Sequence, residues 1–435
     1  GQLNGAQRER LAACGLVTQR SSLVAFNKIS SEPNNYYLSL AVQSVLSYNN
    51  ILEYDVIQNV SQNELLIGDI NFTPFNKTAT FLINYYGPTS SIFKTFDRYS
   101  LSQVIDDENF DLSEIKPNEL LIKMQSCGIC GSDVEKVFGK YGQPSMRLGH
   151  EPAGEIIKLG DQISDFKLGD RVFTHHHVAC YSNDCHECSH GNETMCKKYS
   201  QSNLNPCGLA ENYIVPEWNV THGGVLKLPD NVSYEEAALI EPLACCVRAW
   251  SKFKYQKNDT VAILGVGPTG MMHVLLAKSF GFSKIFCMDL NDFRLDFVKK
   301  LDVTAIRSDN PDLIKKINDD TSIGVDVAIV ATSSLHAFQD AIKLVRKGGT
   351  VVMFGVPSKD ATTEIDMSVV YSKEISIVTT YAASDIDTKD ALDLISSGIV
   401  DVKFLITHKY SLDESQKAFE HAKTGDNAMK IIIEN

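Results

Sequence analysis

The sequence predicts an α/β protein in which a β-rich region precedes a doubly wound parallel sheet. Three observations carry this. From Lys77 onward, short β-rich runs such as Thr78–Tyr86 and Glu119–Met124 alternate with turn residues. From about Glu241 to Tyr381, strand-like and helix-like segments take turns, the rhythm of parallel strands covered by helices on both faces. Within that stretch, an apolar run leads into Gly265-Val-Gly267-Pro-Thr-Gly270.

The elements follow in order. Residues 1–76 carry few charges, no glycine fingerprint and no ligand pattern, and are expected to be an N-terminal extension. Arg8, Arg10 and Arg20 among serines and alanines only faintly resemble a transit peptide. The first methionine is Met124, so Gly1 is not expected to be an ordinary translation start. Residues 77–240 form the β-rich domain. In residues 241–381 a strand is expected over Thr260–Leu264, then a helix from Thr269 to Phe280 and a strand over Lys284–Met288. A helix near Arg294–Leu301 and strands over Asp326–Ala331 and Thr350–Phe354 follow. Residues 382–435 return to the first domain. At 435 residues the chain is too long for one ordinary core.

Composition narrows the partners. The chain is 43% hydrophobic and 22% charged, as a soluble globular protein is. A net charge of −13 argues against nucleic acid and against an anionic membrane surface. The most apolar stretch, Val261–Phe282, is broken by Gly265, Gly267, Pro268, Gly270 and Lys278, so it reads as strand, turn and helix rather than a membrane span. Cysteines arranged in ligand spacing, with no secretory signal, point to metal binding in a reducing compartment; cytoplasm is the expectation.

The glycine motif sits directly after a strand and opens a helix. Gly265, Gly267 and Gly270 permit a tight turn and close backbone approach, while Pro268 and Thr269 begin a helix whose N-terminus faces a pyrophosphate. Asp289 ends the next strand, 19 residues after Gly270, where a carboxylate accepts from the ribose hydroxyls and repels a 2′-phosphate. The expected cofactor is therefore NAD rather than NADP. Arg294 either stacks on the adenine or stays solvated beside Asp292.

Two ligand patterns differ in kind. Cys180, Cys185, Cys188 and Cys196 crowd into one polar loop, a thiol set that suits a closed structural zinc. His186 and His190 share the loop, but four cysteines already complete a tetrahedron. Cys130 with His150 and Glu151 mixes thiolate, imidazole and carboxylate, and three such ligands leave a position open for a water or substrate on a catalytic zinc. The run His175-His176-His177 is read as strand residues leading into the loop, since alternate strand residues face opposite ways.

From about Lys77 to Asn435 the chain resembles the zinc-containing medium-chain dehydrogenases, in particular their polyol (sorbitol, or L-iditol 2-) dehydrogenase branch. The shared motifs are CGICGSD at 127–133, GHEPAGEI at 149–156, GDRV at 169–172, the four-cysteine lobe, EPLACC at 241–246, GVGPTG at 265–270 and YAAS at 381–384. The resemblance implies a GroES-like catalytic domain and a Rossmann domain, with the active site between them. It implies Cys130, His150 and Glu151 as catalytic zinc ligands, Glu241 as a fourth ligand or a partner of the zinc's water, and Asp133 as the residue that orients His150. Cys127 would not be a ligand, and Ser132 would pass the proton outward.

The implied reaction moves a hydride between a polyol or other secondary alcohol and NAD, giving a ketone, in a homodimer or homotetramer. Threonine 3-dehydrogenase, an alcohol or aldehyde reductase, and a non-catalytic NAD-binding protein on the same fold are the alternatives. The chain departs from the family pattern in three places. Four residues instead of two separate Cys180 from Cys185, Glu135 stands where relatives carry a relay histidine, and Tyr381 or Ala382 stands where animal sorbitol dehydrogenases place an arginine.

Overall fold

The computed structural model describes residues 115–138 and 147–435, together with four short strand segments ahead of them. The chain divides into two units. In the first, Gly1–Glu114 with Glu135–Met146, the described strands make two antiparallel pairs: Leu23–Val24 with Phe81–Leu82, and Leu65–Ile67 with Ile70–Phe72. Apart from these strands, the extension expected over residues 1–76 and the run expected over Thr78–Tyr86 lie outside the described residues.

The second unit holds two sheets. Strand β1 (Leu120–Gly128) is buried along nearly its whole length, as its run of Leu, Ile and Met on both faces requires. Beside it run β2 (Pro152–Leu159), β3 (Arg171–Thr174), β4 (Asn212–Val215) and β5 (Val225–Lys227). Helix α1 (Gly131–Phe138) follows β1 directly. Helix α2 (Ile240–Ser251) then leads into the second sheet, whose strands are β6 (Thr260–Leu264), β7 (Lys284–Asp289), β8 (Thr304–Arg307), β9 (Val325–Val330), β10 (Val345–Met353) and β11 (Ser376–Thr379). All its pairings are parallel and its order is β8-β7-β6-β9-β10-β11. The order reverses between β6 and β9, the switch point at which dinucleotides bind in such sheets. Helix α3 (Pro268–Ser279) follows β6, buried almost all round by an apolar sequence that carries no marked stripe.

After β11 the chain makes helix α4 (Asp385–Ser396), which packs against α2. It then returns to the first sheet as β12 (Ile406–Ser411) and β13 (Lys430–Glu434). That sheet runs β12-β13-β1-β2-β3-β5, with β4 also on β1, and Ile433 stands opposite Cys127. Side chains of both sheets, among them Ala153, Phe173, Val261, Ile263 and Ile432, share one core cluster with Leu243 of α2.

The run 175–177 departs from its expected form. Strand β3 stops at Thr174, so His175, His176 and His177 lie in irregular backbone, where the alternation rule does not apply. His175 and His176 both turn toward Glu241.

Candidate metal and dinucleotide site

Cys130, His150 and Glu151 come together with ligand atoms all within 4.8 Å of one another. Cys130 stands just ahead of α1, and the backbone N–H groups of Asp133 and Val134 both donate to its carbonyl. His150 and Glu151 precede β2, and the Glu151 carbonyl accepts from the N–H of Gly128 on β1. A side chain at Gly128 would strike the Glu151 carboxylate, with its Cβ 1.9 Å from Oε2, so glycine is required there.

Each ligand is backed by a second group. The His150 Nδ1 lies 3.2 Å from Asp133 Oδ1. Burial alone would lower the pKa of this imidazole, but the negative charges of Asp133 and Cys130 override it and hold His150 well above its ordinary value. Such surroundings are built to hold positive charge. Glu151 is fully buried and paired through Oε2 with the buried Lys430 ammonium, which also donates to the Ile129 carbonyl at 3.1 Å. Glu151 Oε1 has no hydrogen-bond partner. A buried carboxylate oxygen without a partner, next to a thiol and an imidazole, fits a bound cation. Ser132 is exposed, and its hydroxyl donates to Cys130 Sγ at 3.3 Å.

Glu241, in the first turn of α2, falls into a different group. Its carboxylate lies within 4.8 Å of a ring nitrogen of His175 and of His176, and it accepts from the Cys245 thiol at 3.4 Å. The His176 ring is 5.1 Å from that of His150, so the two groups adjoin. Cys127 is buried on β1 outside both groups.

The four sulfurs of the cysteine lobe all lie within 4.8 Å of one another. Cys180 Sγ is 3.8 Å from Cys188 and 3.5 Å from Cys196, and Cys185 is 3.8 Å from Cys196. Four sulfurs each about 2.3 Å from one ion stand about 3.8 Å apart in a tetrahedron, so the set fits zinc, and the longer Cys180–Cys185 spacing still reaches. The described cysteines are free thiols. Arg248 of α2 fastens the lobe, donating at 3.1 Å to Glu193 and at 3.1 Å to Asp387 of α4. Ala382, left-handed at φ +54°, packs against the lobe beside Cys196 and Tyr199. Tyr381 stands out into solvent.

The glycine motif takes up the expected geometry. Gly265 has φ +92°, and a Cβ at Gly270 would lie 1.9 Å from the Gly265 carbonyl oxygen. Gly267 caps α3 and Pro268 opens it, where the missing N–H costs nothing. Asp289 at the end of β7 accepts from the N–H groups of Val266 and Asn291, each at 2.9 Å, which locks the carboxylate beside the turn. Arg294 lies 3.6 Å from Asp289 and over Gly267, whereas Asp292 pairs with Arg307.

Sequence reasoning missed Lys430, Asp385 and the convergence of His175 with His176. A lone cation inside the apolar run Ala428-Met-Lys-Ile-Ile-Ile was the available sign for Lys430.

A parallel sheet with a dinucleotide turn, joined to a second sheet and accompanied by metal-ready donor sets, is the arrangement expected of a metal- and nucleotide-dependent oxidoreductase. Comparison with known proteins narrows it. Residues 116–230 match the alcohol dehydrogenase GroES-like domain and residues 268–397 the zinc-binding dehydrogenase domain. Sorbitol dehydrogenase of Bacillus subtilis is 36% identical over 75% of this chain and 93% of its own. D-xylulose reductase A of Aspergillus oryzae is 31% identical over 72% and 89%. The crystal structure of 2R,3R-butanediol dehydrogenase from Bacillus subtilis superposes with a TM-score of 0.66 at 25% identity, covering 75% of this chain and 95% of that one. The chain belongs to the zinc-binding dehydrogenases of the medium-chain type, on their polyol dehydrogenase-like side.

Proposed function

We propose that the protein moves a hydride between a polyol or other secondary alcohol and NAD, with Cys130, His150 and Glu151 holding the catalytic zinc. The observation that carries this reading is the trio itself: a half-buried thiol, an imidazole and a buried carboxylate oxygen with no partner, brought together in a chain that also carries a dinucleotide turn. Bound zinc supplies Lewis acidity that brings an alcohol's pKa toward neutrality, and NAD supplies the hydride acceptor.

The chain's own groups do the rest. Asp133 accepts from Nδ1–H of His150 and leaves Nε2 with its lone pair toward the site. Lys430 neutralises Glu151 from behind and fixes its carboxylate. Ser132, exposed and bonded to the Cys130 sulfur, carries the released proton toward solvent. Asp289 favours NAD because its carboxylate, held beside the Gly265–Gly270 turn, accepts from ribose hydroxyls and disfavours a 2′-phosphate. Cys180, Cys185, Cys188 and Cys196 hold a second zinc that orders the lobe. Edge strand β11, with Ile377 40% exposed, offers the pairing surface for a dimer.

The test is NADH formation across a panel of polyols, secondary alcohols and threonine, before and after chelation. Polyol activity abolished by chelation is the expected result. Activity on threonine alone, or none from folded zinc-loaded protein, overturns the reading.

A further inference from the structure

We propose that His175, His176 and Glu241 form a third metal site, for a borderline divalent transition ion such as zinc, next to the site of Cys130, His150 and Glu151. The three side chains come from two segments, the stretch after β3 and the first turn of α2, yet bring one ligand atom each to within 4.8 Å of the others. Two imidazoles and a carboxylate without a thiol suit zinc, cobalt, manganese or ferrous iron.

Two independent observations support a ligand there. First, His175 is 0% exposed, and its Nδ1 is held by the Asp385 carboxylate at 3.0 Å while Nε2 has no hydrogen-bond partner. A carboxylate fixing one ring nitrogen so that the other can ligate is the usual support of a metal-bound histidine. Tyr181 in turn donates to Asp385 at 2.9 Å, so the support is itself anchored.

The second observation is charge. Asp133, Glu151, Glu241 and Asp385 are buried acids around the two groups, joined by the Cys130 thiolate once a metal binds it, and Lys430 is the buried cation among them. A divalent ion held by His175, His176 and Glu241 would offset this crowding of buried acids.

The test counts metal in the full-length protein after zinc loading and removal of the excess. Three zinc ions per chain are expected, falling to two in His176→Asn with the lobe and Cys130 ions retained. Two ions in the unaltered protein, or three in the variant, overturn the proposal.

Cobalt gives a second readout that needs no variant. Cobalt at either thiol-containing site produces strong sulfur-to-cobalt charge-transfer absorption, whereas the third equivalent should add only weak ligand-field bands. Charge transfer rising through every bound equivalent overturns the proposal too. A protein that holds two ions yet forms NADH overturns this inference alone. One that holds three and forms none overturns the dehydrogenase reading alone.

Discussion

The four-cysteine lobe and the Cys130 group make opposite use of the chain. The lobe draws its ligands from the 17 residues between Cys180 and Cys196, in a loop whose cysteines are mostly half-exposed. Its small apolar cluster amounts to little more than Ala179, Cys196 and Tyr199. The Cys130 group takes ligands from two separate segments, and the lysine behind Glu151 lies 279 residues away. A local set with four like donors makes a closed site that holds its own loop together. A set assembled by the fold can leave a position open, because buried neighbours hold the ligands in place whether or not the tetrahedron is complete.

Single substitutions should separate the two. Cys130→Ala is expected to lower kcat/KM by roughly 10³-fold or more, since the Lewis acid is lost, while NAD affinity and thermal midpoint change little. Cys188→Ser should do the reverse: the lobe ion is lost and the midpoint drops, with activity following only as the protein unfolds. Turnover assays, NAD titration and thermal scans on both variants check this. If Cys188→Ser abolishes turnover in protein that is still folded, the lobe is not merely structural and the contrast breaks.

The same contrast explains what the sequence revealed. The lobe was legible because ligand spacing is itself the signal, and the glycine turn was legible because only glycine permits φ +92° at Gly265 and the close approach at Gly270. The parallel sheet was legible from the alternation of apolar runs, though β8 and β11, four residues each and with no fully buried position, gave little pattern. The 175–177 run was misread because three histidines say nothing about where a strand ends, and β3 ends one residue earlier. Lys430 escaped because nothing local ties a lysine on the last strand to a glutamate before β2.

That lysine provides the next test. Removing one partner of a buried ion pair leaves an uncompensated charge and costs about 3–5 kcal/mol. Lys430→Met should therefore destabilise the metal-free protein by about that amount, and adding Glu151→Gln should recover most of it. Urea unfolding of the two variants measures the coupling. If the double variant is no more stable than Lys430→Met, Lys430 acts by packing alone and the Cys130 group has lost its long-range support.

The smallest effect comes from a histidine in neither group. His273 on α3 is fully buried, accepts from Trp250 Nε1 at 3.0 Å and touches the edge of Phe354, with no acid beside it. Burial alone pulls its pKa down to about 3, the opposite outcome from His150, where Asp133 and Cys130 reverse the effect of burial. The folded protein keeps His273 neutral while the unfolded chain protonates at about 6.5, so its contribution is complete above that pH and is lost as pH falls toward 3. The slope is about 1.4 kcal/mol per pH unit, which makes the loss about 2 kcal/mol at about pH 5. His273→Gln, which keeps an acceptor for Trp250 but does not titrate, should lose less stability between neutral pH and about pH 5 by that amount. Equal losses in the two proteins would mean that the fold tolerates a charged His273. The difference between the two histidines would then no longer follow from their neighbours.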